Sequence, residues 1–215
     1  MARTRGGLTR RSTKPEGTAS AAGRTRLESY TIPTTTYRVG DCVLISRPNA
    51  TAELPAALVA RIEGIDFYSV NKVDVHVRRY YRPEETFEGA QRFHGRKEVF
   101  LSDHWQVVSV RAIEGKCTVH SLEDYMKLGN VGAADYFCRF EYAHETGAFH
   151  PNYVPVYCIC EMPRNPDLPM IHCRECRHRY HLKCLGVTIE EANGLNYVCS
   201  ECSSRKECVS SVTNS

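Results

Sequence analysis

Seven cysteines and one histidine between Cys158 and Cys202 form the most chemically suggestive pattern in the chain. They read Cys158-x-Cys160, Cys173-x-x-Cys176, His181-x-x-Cys184 and Cys199-x-x-Cys202. Donors separated by one or two residues can reach the same ion, and four such pairs suffice for two tetrahedral zinc sites. The segment lacks the apolar mass to bury these side chains as an ordinary core. A disulfide framework fits poorly, because the 11 cysteines are an odd number and no secretory leader is read.

The elements that must position this segment, and the rest of the chain, follow from texture. Residues 1–29 carry seven Arg/Lys against two Glu, a net +5, in a chain whose total is +3. Rich in Gly, Ser, Thr and Ala, they cannot bury a core and are expected to form a disordered basic arm. Such an arm suits contact with DNA or another anionic partner, or simply a solvated tail. Strands are expected at Tyr37–Ser46, Ala57–Ile65, Val73–Tyr81, Glu98–Ser102, Trp105–Val110, Lys116–Val119 and Tyr136–Tyr142, each rich in Val, Ile or Tyr and bounded by turn residues. Val73, Val75 and Val77 alternate with polar residues, which puts them on one buried face. Ser121 is placed to cap a short helix. Cys42, Cys117 and Cys138 lie in these strands and read as small core residues. Asp103 and His104 are the nearest thing to an acid–base pair, but no nucleophile accompanies them, so no enzyme activity and no small-molecule substrate are expected. No apolar run approaches a membrane span.

The order Cys-Cys-Cys-Cys-His-Cys-Cys-Cys resembles the PHD finger more than the RING domain, whose histidine comes earlier. The resemblance implies a cross-brace, with Cys158, Cys160, His181 and Cys184 on one zinc and Cys173, Cys176, Cys199 and Cys202 on the other. Sites so filled leave no open position for water, so the two Zn²⁺ would be structural. Upstream, Arg38-Val39-Gly40-Asp41-Cys42-Val43-Leu44-Ile45, Tyr80–Thr86 and the run His94–His104 resemble a BAH domain. The fold expected is therefore mainly β: a β-rich BAH domain with short helices (30–154), then a small two-zinc PHD finger (155–204) and a disordered tail (205–215). A BAH domain followed directly by one PHD finger is similar to a plant family of small chromatin readers, the Short Life and Early Bolting in Short Days proteins. Glu161-Met162-Pro163 and Thr188–Ala192 fit that family closely. The resemblance implies a nuclear chromatin regulator whose partner is the histone H3 tail or a nucleosome. It further implies that each module reads a trimethyl-lysine, the PHD finger near the tail's N-terminus and the BAH domain deeper in the tail.

Trimethyl-lysine cannot donate hydrogen bonds and is held by aromatic faces, each contact contributing ~0.5–2 kcal/mol. Carried onto this sequence, the BAH cage keeps Tyr81, but Arg79 stands at the family's tryptophan position and Leu58 at a third ring; Asp103 and His104 complete the candidate BAH surface. In the PHD finger Tyr157 is kept, while Arg164 and Arg179 replace aromatics. Met170 remains as a soft wall, and Ile171 lies in the strand Pro169–His172 on which a tail could pair. A guanidinium beside a trimethylammonium repels it by ~1–4 kcal/mol. The expectation is a reader architecture with weakened or altered methyl-lysine recognition. The alternative is a binder of nucleosomal DNA or an acidic partner through the basic arm and these arginines. After loss of Met1 the chain would open Ala2-Arg3-Thr4-Arg5, which resembles the H3 N-terminus. Two readings of that resemblance stand: an arm that occupies a histone groove, and a generic basic arm.

Overall fold

The computed structural model describes residues 23–47 and 57–205. The first domain begins with β1 (Thr25–Leu27) and a separate hairpin of β2 (Ser29–Ile32) and β3 (Thr35–Arg38). It continues through β4 (Cys42–Ser46), the long β5 (Ala57–Ser69) and β6 (Lys72–Tyr81). The run expected as one strand over Tyr37–Ser46 is broken at Gly40, whose φ of 94° makes the turn between β3 and β4. One edge of β5 is shared, β4 pairing with Ala57–Arg61 and β1 with Ile65–Phe67. Order thus starts before residue 29, where the arm was expected to end. The cause is electrostatic: Arg24 and Arg26 reach the buried Asp66 at 3.2 and 3.0 Å, and Leu27 packs on the core. Burial alone would raise the Asp66 carboxyl, but hydrogen bonds from His76 and Arg26 outweigh it and hold its pKa below the usual value. Residues 1–22, including the histone-like Ala2–Arg5 run, lie outside the described residues.

β7 (Phe100–Ser109) is one strand where two were expected. The discontinuity read at Asp103-His104 is a bulge: Arg78 pairs with Trp105 and Tyr80 with Leu101, so a two-residue step on β6 faces a four-residue step on β7. A bulge keeps the strand continuous while re-aiming side chains. β8 (Ile113–Ser121) leads into α1 (Leu122–Tyr125), where the Ser121 hydroxyl accepts the Asp124 N–H at 3.1 Å. β9 (Asp135–Cys138) then pairs parallel with β8, and β10 (Glu141–Tyr142) parallel with β7, next to β11 (Phe149–His150). The main sheet runs β11-β10-β7-β6-β5-β4-β8-β9. β9 is at one end and β10 near the other, yet only Arg139 and Phe140 separate them. Three Cα–Cα steps span at most about 11 Å, so the sheet must curl until its ends approach. The Val99 N–H donating to the Phe137 carbonyl at 2.9 Å closes that seam. Inside, Val43, Ile62, Val75 and Val77 are fully buried, as the alternation required.

The second domain is small and irregular. β12 (Val156–Tyr157) pairs with β13 (Met162–Pro163), and β14 (Met170–His172) with β15 (Arg179–His181). Two short helices follow, α2 (Leu182–Leu185) and α3 (Ile189–Ala192), the latter opened by a Thr188–Glu191 capping box, and residues 200–205 are helical as well. Cys158, Glu161 and Arg177 adopt left-handed backbone (φ 65°, 49° and 63°), a strained state for non-glycine residues that clusters around the cysteine turns. None of the helices in the described residues is long and apolar enough to cross a membrane.

The two domains are joined by more than their linker. Arg139, at the seam of the first sheet, donates to both Glu98 carboxylate oxygens (2.7 and 3.0 Å), to the Phe93 carbonyl and to the Arg164 carbonyl at 2.6 Å. From the second domain, the Asn165 amide donates to the carbonyls of Arg92 and His94, and the Asp167 carboxylate accepts the Arg96 N–H. Gly95 lets the loops approach closely here, since a Cβ would meet Phe137 and Pro166 at 3.0 Å and those side chains would have to shift. These hydrogen bonds tie the two domains together beyond the chain that links them, which carries Pro151 and Pro155.

Candidate functional site

The eight metal-type donors converge in two groups of four. Cys158, Cys160, His181 and Cys184 form one, and Cys173, Cys176, Cys199 and Cys202 the other, with all donor atoms in each group within 4.8 Å of one another. The sequence interleaves them, so each group draws on distant loops. In the first, His181 turns Nδ1 toward Cys160 Sγ (3.3 Å) and Cys184 Sγ (4.0 Å). Backbone N–H groups reinforce the sulfurs, His181 N–H pointing at Cys158 and Cys199 N–H at Cys173, both at 3.4 Å. Soft sulfur donors with one imidazole, at this separation and count, are the donor set of a closed tetrahedral zinc site. Tyr180, beside His181, is buried with Cys158, Cys173 and Cys199 and meets Tyr197 edge-on at 5.4 Å. It is the apolar post between the two groups.

In the first domain, the β7 bulge brings Asp103 and His104 up to Arg79 and Tyr81 on β6. The Arg79 guanidinium lies over the Tyr81 ring at 4.3 Å and is only 18% exposed. Its Nη2 donates to Glu85 at 2.6 Å, and Arg47 donates to the same carboxylate oxygen. Burial would raise the Glu85 pKa, but the Arg82 N–H, Arg47 and Arg79 together hold it below the usual range. The Tyr81 hydroxyl meets His104 Nδ1 at 2.8 Å, and His104 stacks on His144 at 4.6 Å, which in turn bonds Asp103. Burial, then His144 and Arg79, push the His104 pKa down, so the ring stays neutral. Tyr81, His104, His144 and Asp103 thus form one connected chain of polar contacts. Leu58, opposite Ile45 on the β4–β5 ladder, is drawn into the core around Val43 and Ile62. The Arg79 guanidinium thus occupies the face of the Tyr81 ring.

In the second domain, Tyr157, Arg164 and Arg179 share one wall of a cleft of about 900 Å³ that opens between the domains. The Arg179 guanidinium stands 6.0 Å from the Tyr157 ring. Burial and the neighbouring Arg179 both push the Arg164 pKa down, and Arg164 Nε is buried without a hydrogen-bond acceptor. Neither Arg164 nor Arg179 takes part in an ion pair within the described residues. Met170 and Ile171 instead pack on the cysteine core. Sequence reasoning placed these arginines but missed Glu85, Arg47 and His144, which complete the first pocket, and Arg139, which fixes the second. Glu85 stood within the BAH-like run Tyr80–Thr86; nothing in local sequence marks the others.

Residues 35–153 match the BAH domain and residues 158–202 the PHD-finger. Chromatin remodeling protein EBS from Arabidopsis thaliana is 55% identical over 185 residues, covering 85% of this chain and 78% of that protein. Chromatin remodeling protein SHL from the same plant is 47% identical over 192 residues, covering 86% and 82%. The chain belongs to this BAH–PHD family. Its BAH domain carries the first pocket, its PHD finger the two donor groups, and both domains line the cleft. The arginines at 79, 164 and 179 thus sit in the context of an intact BAH–PHD framework, joined through Arg139 and Asn165.

Proposed function

We propose that the chain is a nuclear, chromatin-associated adaptor without catalytic activity that engages the histone H3 tail or the nucleosome in transcriptional regulation. Its PHD finger is held by two structural Zn²⁺, one in each four-donor group. The BAH–PHD pairing shared over most of the chain with two proteins named for chromatin remodeling supports this reading. The pockets describe how engagement would occur. Among the described residues β14 pairs only with β15, which leaves a strand edge to which an extended tail can add. Recognition of trimethyl-lysine is weak or absent, and the observation that carries this is the Arg79 guanidinium seated on Tyr81 and neutralised by Glu85. To enter, a trimethylammonium would have to displace a cation already paired and stacked. Nucleosome binding by the zinc-loaded chain tests the proposal: binding lost on chelation is expected, whereas no binding to nucleosomes or H3 peptides under any condition rejects it.

A further inference from the structure

The cleft between the two domains has a chemistry of its own. Arg164 comes from the end of β13, Arg179 from β15 and Arg177 from the turn before it, while Lys127 faces them from the segment after α1. A single carboxylate, Glu123, lines the same space. The guanidinium groups of Arg164 and Arg179 are half-buried and repel one another, and no carboxylate of the described residues pairs with either. Arg164 Nε is a buried donor without an acceptor. Its backbone is pinned by Arg139, which clamps the Arg164 carbonyl and is itself held by Glu98, so the side chain is presented from a rigid base. Buried donors left unsatisfied are costly, and convergent unpaired guanidiniums are an arrangement that an anion completes.

We infer that this cleft binds a phosphate monoester, and specifically the phosphoserine or phosphothreonine of an extended peptide. A monoester carries close to two negative charges and three acceptor oxygens, which suits two forked guanidiniums and a buried Nε–H. Peptide is favoured over nucleic acid by shape and by the neighbouring edge. The cations are recessed in a concavity, which takes a protruding group, whereas a duplex offers its phosphates on a convex surface. Arg179 pairs across from His172 on β14, whose other edge is open, so a strand added there lies one strand away from the guanidinium. The inference rests on the PHD finger being a peptide-binding module, but not on the peptide being histone.

The test uses the full, zinc-loaded chain and fluorescence anisotropy with a short degenerate peptide pool containing one fixed phosphoserine. The same pool with serine and a short DNA duplex serve as comparisons. The phosphoserine pool is expected to bind at least about tenfold more tightly than the serine pool. Arg164→Ala and Arg179→Ala should each abolish most of that preference, Arg164→Lys should retain only part of it, and Arg111→Ala, at an exposed arginine of the BAH domain outside the cleft, should leave it intact. Zinc content and thermal midpoint establish that each variant is folded. Equal binding of the two pools overturns the inference, and so does a duplex that binds more tightly than the phosphopeptides and is insensitive to Arg164→Ala. Unmodified H3 peptide measured alongside separates the two readings: H3 binding without phosphate preference rejects the inference alone, and the reverse result rejects only the histone assignment.

Discussion

The arginines expected at cage positions have different surroundings in the two domains. In the BAH domain Arg79 is compensated in part: it stacks on Tyr81 at 4.3 Å and pairs with Glu85, a carboxylate it shares with Arg47, although its Nε stays buried without a partner. In the PHD finger Arg164 and Arg179 lie side by side on one wall of an open cleft, and among the described residues neither takes part in an ion pair. The first pocket holds its own cation, and the second is the one we propose for an external anion. Residue identity alone does not distinguish these outcomes. What distinguishes them is Glu85, brought under Arg79 by the 3-10 turn at Pro83–Glu85, for which the finger has no counterpart.

The largest effect should come from removing zinc, which separates the two domains most sharply. Chelation is expected to unfold the finger outright, since metal binding on the order of 10 kcal/mol is its folding free energy. The BAH sheet, with its own valine core, should persist, and amide NMR spectra would show one set of signals collapsing while the other survives. Loss of both sets would mean that the joint at Arg139 and Asn165 governs both. Next comes Glu98→Ala, which leaves Arg139 buried and uncompensated at the seam; a loss of about 3–5 kcal/mol in chemical denaturation is expected. A loss under about 1 kcal/mol would show that the joint is looser than its geometry implies.

The balance itself is tested by a smaller pair of changes. Glu85→Ala strands two guanidiniums against each other and should cost about 2–3 kcal/mol. Arg179→Ala removes a repulsion and should fall within about 0.5 kcal/mol of neutral. Similar costs for both would erase the contrast. Acid should reveal a related asymmetry. His94 lies at the joint, and burial, aided by the Arg139 charge, pushes its pKa down to about 4. Its neutral form is preferred in the folded state, so the stability it contributes is present above the ordinary value of 6.5 and is lost as pH falls toward 4. For this half-buried ring the loss is on the order of 1–2 kcal/mol. Glu85, held below the usual range, adds a further loss only below about pH 4. Replacing His94 with Gln should flatten the upper part of the profile; an unchanged slope between pH 6.5 and 4 would remove His94 from the explanation.

The finger was the most legible region, because metal ligation forces donors into short, countable spacings and leaves little freedom in how they group. The valine alternation of β6 was equally plain, since one face of a sheet is buried. Where the reading failed, long-range partners were responsible. Asp103-His104 looked like a break between strands, and only pairing with β6 shows it to be a bulge. Tyr136–Tyr142 looked like one strand, but Arg139 and Phe140 carry the chain across the seam of a curled sheet. Asn165-Pro166-Asp167 reads as an ordinary turn, and its role in the joint depends on loop 92–96, some 70 residues away. Thr25–Leu27 is polar by composition and is ordered by Asp66, about 40 residues downstream. The arginines could be located from the flanking motifs, whereas the charge that neutralises one of them could not.

The most direct measurement is calorimetric titration of the zinc-loaded chain with H3 tail peptides, unmodified and trimethylated at each of the two family sites. It would be repeated on an Arg79→Trp, Arg179→Trp variant. The native chain is expected to discriminate by less than about threefold, under 1 kcal/mol, and the variant to gain a preference for trimethylated peptide. A preference of about tenfold or more by the native chain would contradict the idea that arginine has closed one cage and repurposed the other.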